Sequence, residues 1–208
     1  MRGVPRRSAL GLGFAVALMP VLARAQDGDV REPIVALYRA LEDVMRAGKA
    51  VPFRQRFDTL APVIDRVFDL ETILQVSVGL RWNSIDAAAK ATLLDAFRRF
   101  TIATYVANFN SFDGERFEVL PELRSIGADR VVQTRIAPAR GDTVRMDYVM
   151  RSAPRGWRVV DVLLDGTISR VAVQRSDFRS LLARGDTTAL LDSLRRKTAD
   201  LSGGALAS

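Results

Sequence analysis

Apolar residues recur at intervals of three and four between Glu32 and Ala47, where Ile34, Leu37, Tyr38, Leu41, Val44 and Met45 mark one face of a helix. Gly48 ends it. Pro52 suits the first position of a second helix, whose stripe runs through Phe53, Phe57, Leu60, Ile64, Val67 and Phe68. Pro62 lies inside that stripe and is expected to break or kink it, since proline has no N–H for the helical ladder. Asp69 can cap a short third helix carrying Leu70, Ile73, Leu74 and Val78, which Gly79 stops. The longest periodic segment begins at Ser84 or Asp86 and reaches about Phe109, with Leu93, Leu94, Phe97, Phe100, Tyr105 and Val106 spread over a wide arc. A helix so broadly apolar is covered on more than one side, by helices, by a sheet or by a ligand.

After Asp113-Gly114 the period changes to two and β-branched residues become frequent, which predicts strands near 116–123, 130–137, 143–151 and 157–164. Turn residues at Gly127-Ala-Asp, Arg140-Gly-Asp and Pro154-Arg-Gly join them into an antiparallel meander. In the third strand Val144, Met146, Tyr148 and Met150 share one face, and Arg145, Asp147 and Arg151 the other. In the fourth, strict alternation places Trp157, Val159, Asp161 and Leu163 on one side and Val160, Val162 and Leu164 on the other, as in an internal strand. Gly166-Thr-Ile-Ser then leads into a helix with Ile168, Val171, Phe178, Leu181 and Leu182, and Gly185-Asp186 precedes a last helix with Leu190, Leu191 and Leu194. The expected fold is α+β: a single domain over 26–201, with a four-stranded antiparallel meander covered by N- and C-terminal helices. Residues 202–208 read as a disordered tail.

Composition narrows the chemistry. Neither cysteine nor histidine occurs, which excludes disulfides, thiolate nucleophiles, imidazole bases and the usual zinc sites. The first 25 residues read as a cleaved signal peptide: Arg2, Arg6 and Arg7 precede an apolar run from Ser8 to Leu22, and Ala23-Arg24-Ala25 forms a cleavage site before Gln26. That run is shorter than the ~20 residues of a spanning helix. The leader holds four arginines and no acid, so its removal lowers the net charge from +7 to +3. The remaining bases are interleaved with acids, which argues against a nucleic-acid partner.

Asp161 stands out as a carboxylate on an apolar strand face. It is either an acid or base in the pocket of a cone-shaped α+β enzyme, or a structural group that pairs with an arginine or caps the following turn. Ser169 and Ser176 have no base to activate them and suit helix capping. The acids lack metal-loop spacing and the glycines do not form a phosphate loop, so no cofactor, metal or catalytic residue is expected. Ten Phe, three Tyr and two Trp lie mostly on stripes that converge on one sheet face. They form either the dry core of a structural or adaptor protein or the wall of an apolar cavity between sheet and helices, and periodicity alone does not separate the two.

Trp157, Asp161, Gly166, Ser169, Arg175 and Phe178 stand in the order and spacing of a C-terminal pattern that resembles the MlaC and toluene-tolerance family. Phe68-Asp-Leu, Val78-Gly-Leu-Arg-Trp82, Tyr105 and Gly114-Glu115 agree with the family order upstream, so the resemblance covers roughly Leu37 to Leu194. Asp165-Gly-Thr-Ile-Ser, Arg175-Ser-Asp-Phe and Leu60-Ala-Pro-Val-Ile are most similar to its hopanoid-associated HpnM branch. Where that family has Asn-Tyr-Arg, this chain has Val173-Gln174-Arg175. The resemblance implies a periplasmic carrier that encloses a phospholipid or hopanoid between sheet and helices. It further implies two partners, an inner-membrane lipid transporter complex and an outer-membrane lipoprotein assembly. On this reading the lipid-binding wall comprises Val144, Met146 and Tyr148 of the third strand, Trp157, Val159 and Leu163 of the fourth, and Leu70, Leu74, Val78, Phe97 and Tyr105 from helices.

Overall fold

The computed structural model describes residues 28–182 and 186–207, so the expected signal peptide at 1–25 and Gly185 lie outside the described residues. Four helices come first: α1 (Glu32–Ala47), α2 (Phe53–Val67), α3 (Leu70–Val78) and α4 (Ala87–Asn108). Their apolar stripes meet in one core that includes Ile34, Leu37, Leu60, Ile64, Leu93 and Ile102. Asp69 and Asp86 cap α3 and α4 by accepting hydrogen bonds from the backbone N–H groups of Thr72 and Ala89. Helix α2 is not interrupted at Pro62. The proline is exposed, so the Asp58 carbonyl that loses its helical partner can turn to water.

Strands β1 (Arg116–Ile126), β2 (Asp129–Ala137), β3 (Val144–Ala153), β4 (Gly156–Leu164) and β5 (Ile168–Ser169) form one antiparallel sheet in sequence order. The sheet therefore has five strands rather than the expected four. Ile168 belongs to β5, opposite Leu164, and α5 (Arg170–Leu181) begins only after it. Asp165 and Gly166 make this extra hairpin by taking successive positive φ angles of 50° and 72°, which Asp and Gly tolerate best. Helix α6 (Thr188–Leu201) packs on α4. The expected disordered tail instead folds back along these helices: Leu206 is buried, and its carbonyl accepts a hydrogen bond from Arg99 at 2.9 Å.

Strand β4 contains one residue too many for its neighbour. Val149 pairs with Asp161 and Met150 with Val159, so Val160 has no partner and forms a β-bulge. Beyond it the alternation reverses. Trp157 and Val159 pack towards the helices, but so do Val162 and, beside Met146, Leu164. Leu163 joins Val131, Val149 and Val160 in a small cluster of its own. The N-terminal helices are tied to the same strand, since the Asp69 N–H donates to the Val159 carbonyl at 2.9 Å and Arg158 donates to the carbonyls of Asp65 and Phe68.

The Asp147 carboxylate is wholly buried and collects Arg124 at 2.8 Å, Arg145 at 2.9 Å and the Thr134 N–H at 3.3 Å. Arg124 also reaches the Gly166 carbonyl, and the Arg145 guanidinium lies across Gly166 where a Cβ would stand 2.6 Å from its Nε. One buried charge thus joins β1, β2, β3 and the β4–β5 turn. Gly166→Ala should cost about 2–4 kcal/mol, from left-handed strain and displacement of a charge-assisted hydrogen bond. Gly127→Ala, also at positive φ but with nothing within 4 Å of the new Cβ, should cost about 1–2 kcal/mol. Urea unfolding midpoints of the two variants test this order.

Candidate functional site

A cavity of about 230 Å³ opens between α4, the start of α3, strands β3 and β4, and the first turns of α5. Helix α4 supplies one continuous face at spacings of three and four: Phe97, Phe100, Thr101, Thr104, Tyr105 and Asn108, with Phe109 at its end. The Thr101 and Thr104 hydroxyls donate back to the carbonyls of Phe97 and Phe100, so they add little free polarity. Phe68, Leu70 and Ile73 form the wall at α3, while Met146, Val162 and Leu164 form the floor on the sheet. Arg170, Val171 and Gln174 close the remaining side from α5.

Of the eleven residues expected in the wall, Leu70, Phe97, Tyr105 and Met146 border this cavity. Leu74, Val78, Tyr148 and Val159 are packed into the core behind it, because neighbouring helices cover the positions that the apolar stripes left open. Trp157 packs against the core near the start of β4, and Val144, at the first position of β3, is 46% exposed. Leu163 is displaced to the separate cluster by the bulge, and Val162 and Leu164 take the places that strict alternation assigned to Asp161 and Leu163. The spacing of Phe97, Phe100, Thr101, Thr104 and Asn108 was a legible signal, since all five share the α4 face marked by Tyr105. No sequence periodicity announces the bulge.

Asp161 does not stand free in the wall. Its carboxylate accepts hydrogen bonds from the Val162 N–H at 2.7 Å, the Val171 N–H at 3.1 Å and the Ser169 hydroxyl. Ser169 in turn caps α5 through the Ala172 N–H. The residue is the structural cap that one sequence reading anticipated, and it fixes where α5 leaves the sheet.

Of the three tyrosines of the chain, Tyr105 borders the cavity and Tyr38 and Tyr148 are buried behind it. Tyr38 and Tyr148 meet edge to face with ring centroids 6.0 Å apart, and the Tyr148 hydroxyl donates to the Met146 sulfur at 3.2 Å. The Tyr38 hydroxyl also bonds Thr134, whose hydroxyl donates to the Met146 carbonyl. The Tyr38, Thr134 and Tyr148 hydroxyls thus all find partners inside an apolar core, which lowers the cost of burying them. Burial pushes the Tyr38 phenol up to about 12, and raises Tyr105 and Tyr148 further above the ordinary tyrosine range. A raised folded-state value means stability that is intact below the unfolded tyrosine value of ~10 and lost as pH rises towards the folded one. Alkaline titration should therefore show almost no tyrosinate absorbance near pH ~10, followed by a cooperative rise together with loss of the circular-dichroism signal. Ordinary independent titration of any one tyrosine would contradict the buried network.

Among known proteins, the family model for MlaC protein matches residues 36–196. No curated protein matches the chain. The solved structure of a phospholipid-binding protein from Ralstonia solanacearum, determined in complex with a phospholipid, superposes with a TM-score of 0.72 at 21% sequence identity. The match covers 84% of this chain and 99% of that one.

Proposed function

Since the chain belongs to the MlaC family, we propose that it is a periplasmic lipid carrier, whose cavity takes acyl chains, or the ring body of a hopanoid, out of water. The observation that carries this reading is the cavity itself, walled by Phe97, Phe100, Phe68, Met146 and Leu164 between the sheet and α4. A shared fold with a protein solved around a phospholipid supports it. The carrier passes its cargo between an inner-membrane transporter complex and an outer-membrane lipoprotein assembly.

The physical task is solvation. A two-chain lipid exposes on the order of 30 methylenes, and at ~0.8 kcal/mol each its transit through water would cost roughly 25 kcal/mol. Only a nearly complete apolar enclosure offsets that. The cavity of about 230 Å³ lies below the ~300–1,000 Å³ of ordinary ligand pockets, so a lipid of this size loads only as the helical walls move outward from the sheet. Catalysis has no residue to run on at Asp161, whose oxygens already hold three donors.

Protein purified under native conditions should release about one lipid per chain on solvent extraction, identified by mass spectrometry. Met146→Trp should fill the floor: its unfolding midpoint after delipidation should stay near wild type while its lipid content falls. Overpacking a solid core would instead cost ~1–3 kcal/mol. A destabilised variant with unchanged lipid content would place Met146 in an ordinary core and remove the carrier reading's floor.

A further inference from the structure

Arg170 is the only cation that borders the cavity, and it forms neither an ion pair nor a side-chain hydrogen bond among the described residues. The one carboxylate in the wall, Asp161, is engaged by Val162, Val171 and Ser169. The Val171 and Ala172 N–H groups in the first turn of α5 are likewise taken, by Asp161 and Ser169. Gln174 stands one turn along the same helix face and also borders the cavity. Its Oε1 accepts from the Ser77 hydroxyl at 3.3 Å, which leaves the amide N–H groups free. Arg170 is half-buried and borders the cavity, so its side chain runs between the apolar wall and solvent.

An unpaired guanidinium beside a free amide donor, at the edge of an apolar cavity, matches an anion carried on an apolar body. Resting on the carrier reading, we propose that Arg170 and Gln174 form a subsite for the phosphodiester of a phospholipid, which selects that cargo over neutral lipids such as an unsubstituted hopanoid. The planar guanidinium can take two phosphate oxygens at once, and the chains then run inward between Phe97, Phe100 and Leu164. The residue pair is a specificity device rather than the main source of affinity, which the chains supply.

Equilibrium binding of phosphatidylglycerol and of diacylglycerol with identical chains, to delipidated protein, tests this. Wild type should prefer the phospholipid by about tenfold or more, the worth of a charge-assisted hydrogen bond in a partly dry site. Arg170→Met should abolish that preference while diacylglycerol binding and the unfolding midpoint stay unchanged. Arg179→Met, on the exposed part of the same helix, should behave as wild type. If Arg170→Met keeps the preference, or wild type binds both lipids equally, the subsite is overturned and the carrier reading stands. If wild type binds neither lipid, the carrier reading falls and the subsite with it. Inorganic phosphate alone should bind no more tightly to wild type than to Arg170→Met; Arg170-dependent capture of free phosphate would overturn the assignment to a lipid.

Discussion

An antiparallel strand with one residue more than its neighbour cannot keep its side chains in step, and the cavity of this protein is built on that consequence at Val160. Before the bulge, Val159 faces the helices; after it, Val162 and Leu164 do. Asp161, immediately beyond, is left to gather the Ser169 hydroxyl and the Val171 N–H in the first turn of the following helix. The same irregularity therefore supplies the cavity floor and sets the departure point of α5, which carries Arg170 and Gln174 to its edge.

The sheet that bears this floor is held from both sides by satisfied polar groups. On one side the Tyr38 hydroxyl of α1 bonds through Thr134 to the backbone of Met146, and the Tyr148 hydroxyl of β3 donates to the Met146 sulfur. On the other the buried Asp147 gathers two arginines that reach from β1 to the β4–β5 turn. Leaving any of these groups unpaired would cost more than the bond itself contributes, which makes the arrangement specific as well as stable. The floor is thereby the fixed part of the site. The wall on the opposite side is made of α3, α4 and α5, of which α3 and α5 are tied to β4 at their first turns while α4 faces the floor across the cavity through side chains.

That division suits a carrier. A lipid must be enclosed almost completely to cross water, yet it must also leave, and both demands fall on the boundary between a rigid sheet and packed helices. Packed helices shift by repacking apolar side chains that have no fixed hydrogen-bond partner to lose, whereas a sheet yields only by breaking ladder bonds. Phe68 and Leu70 lie at the seam, anchored to β4 through the Asp69 N–H and yet bordering the cavity.

Much of this was legible in the amino-acid order. Local periodicity marks α1 to α4 and the four long strands, because each element must turn one face inward wherever it finally docks. Capping chemistry marks Asp69 and Asp86, and the apolar arc of α4 indicates that it is covered on more than one side. The family resemblance rests on residues that the fold uses for its joints, such as Asp161, Gly166 and Ser169. Tertiary structure alone decided which apolar residues face space and which face protein: Leu74 shares the helical stripe of Leu70, and Tyr148 the strand face of Met146, yet only Leu70 and Met146 border the cavity. It alone decided the parity of β4, since a bulge is a property of two strands in register and neither strand contains it by itself. The pairing of Asp147 with Arg124 and Arg145, and the lack of a partner for Arg170 among the described residues, belong to the same class, because charge balance depends on distances between segments that are remote along the chain.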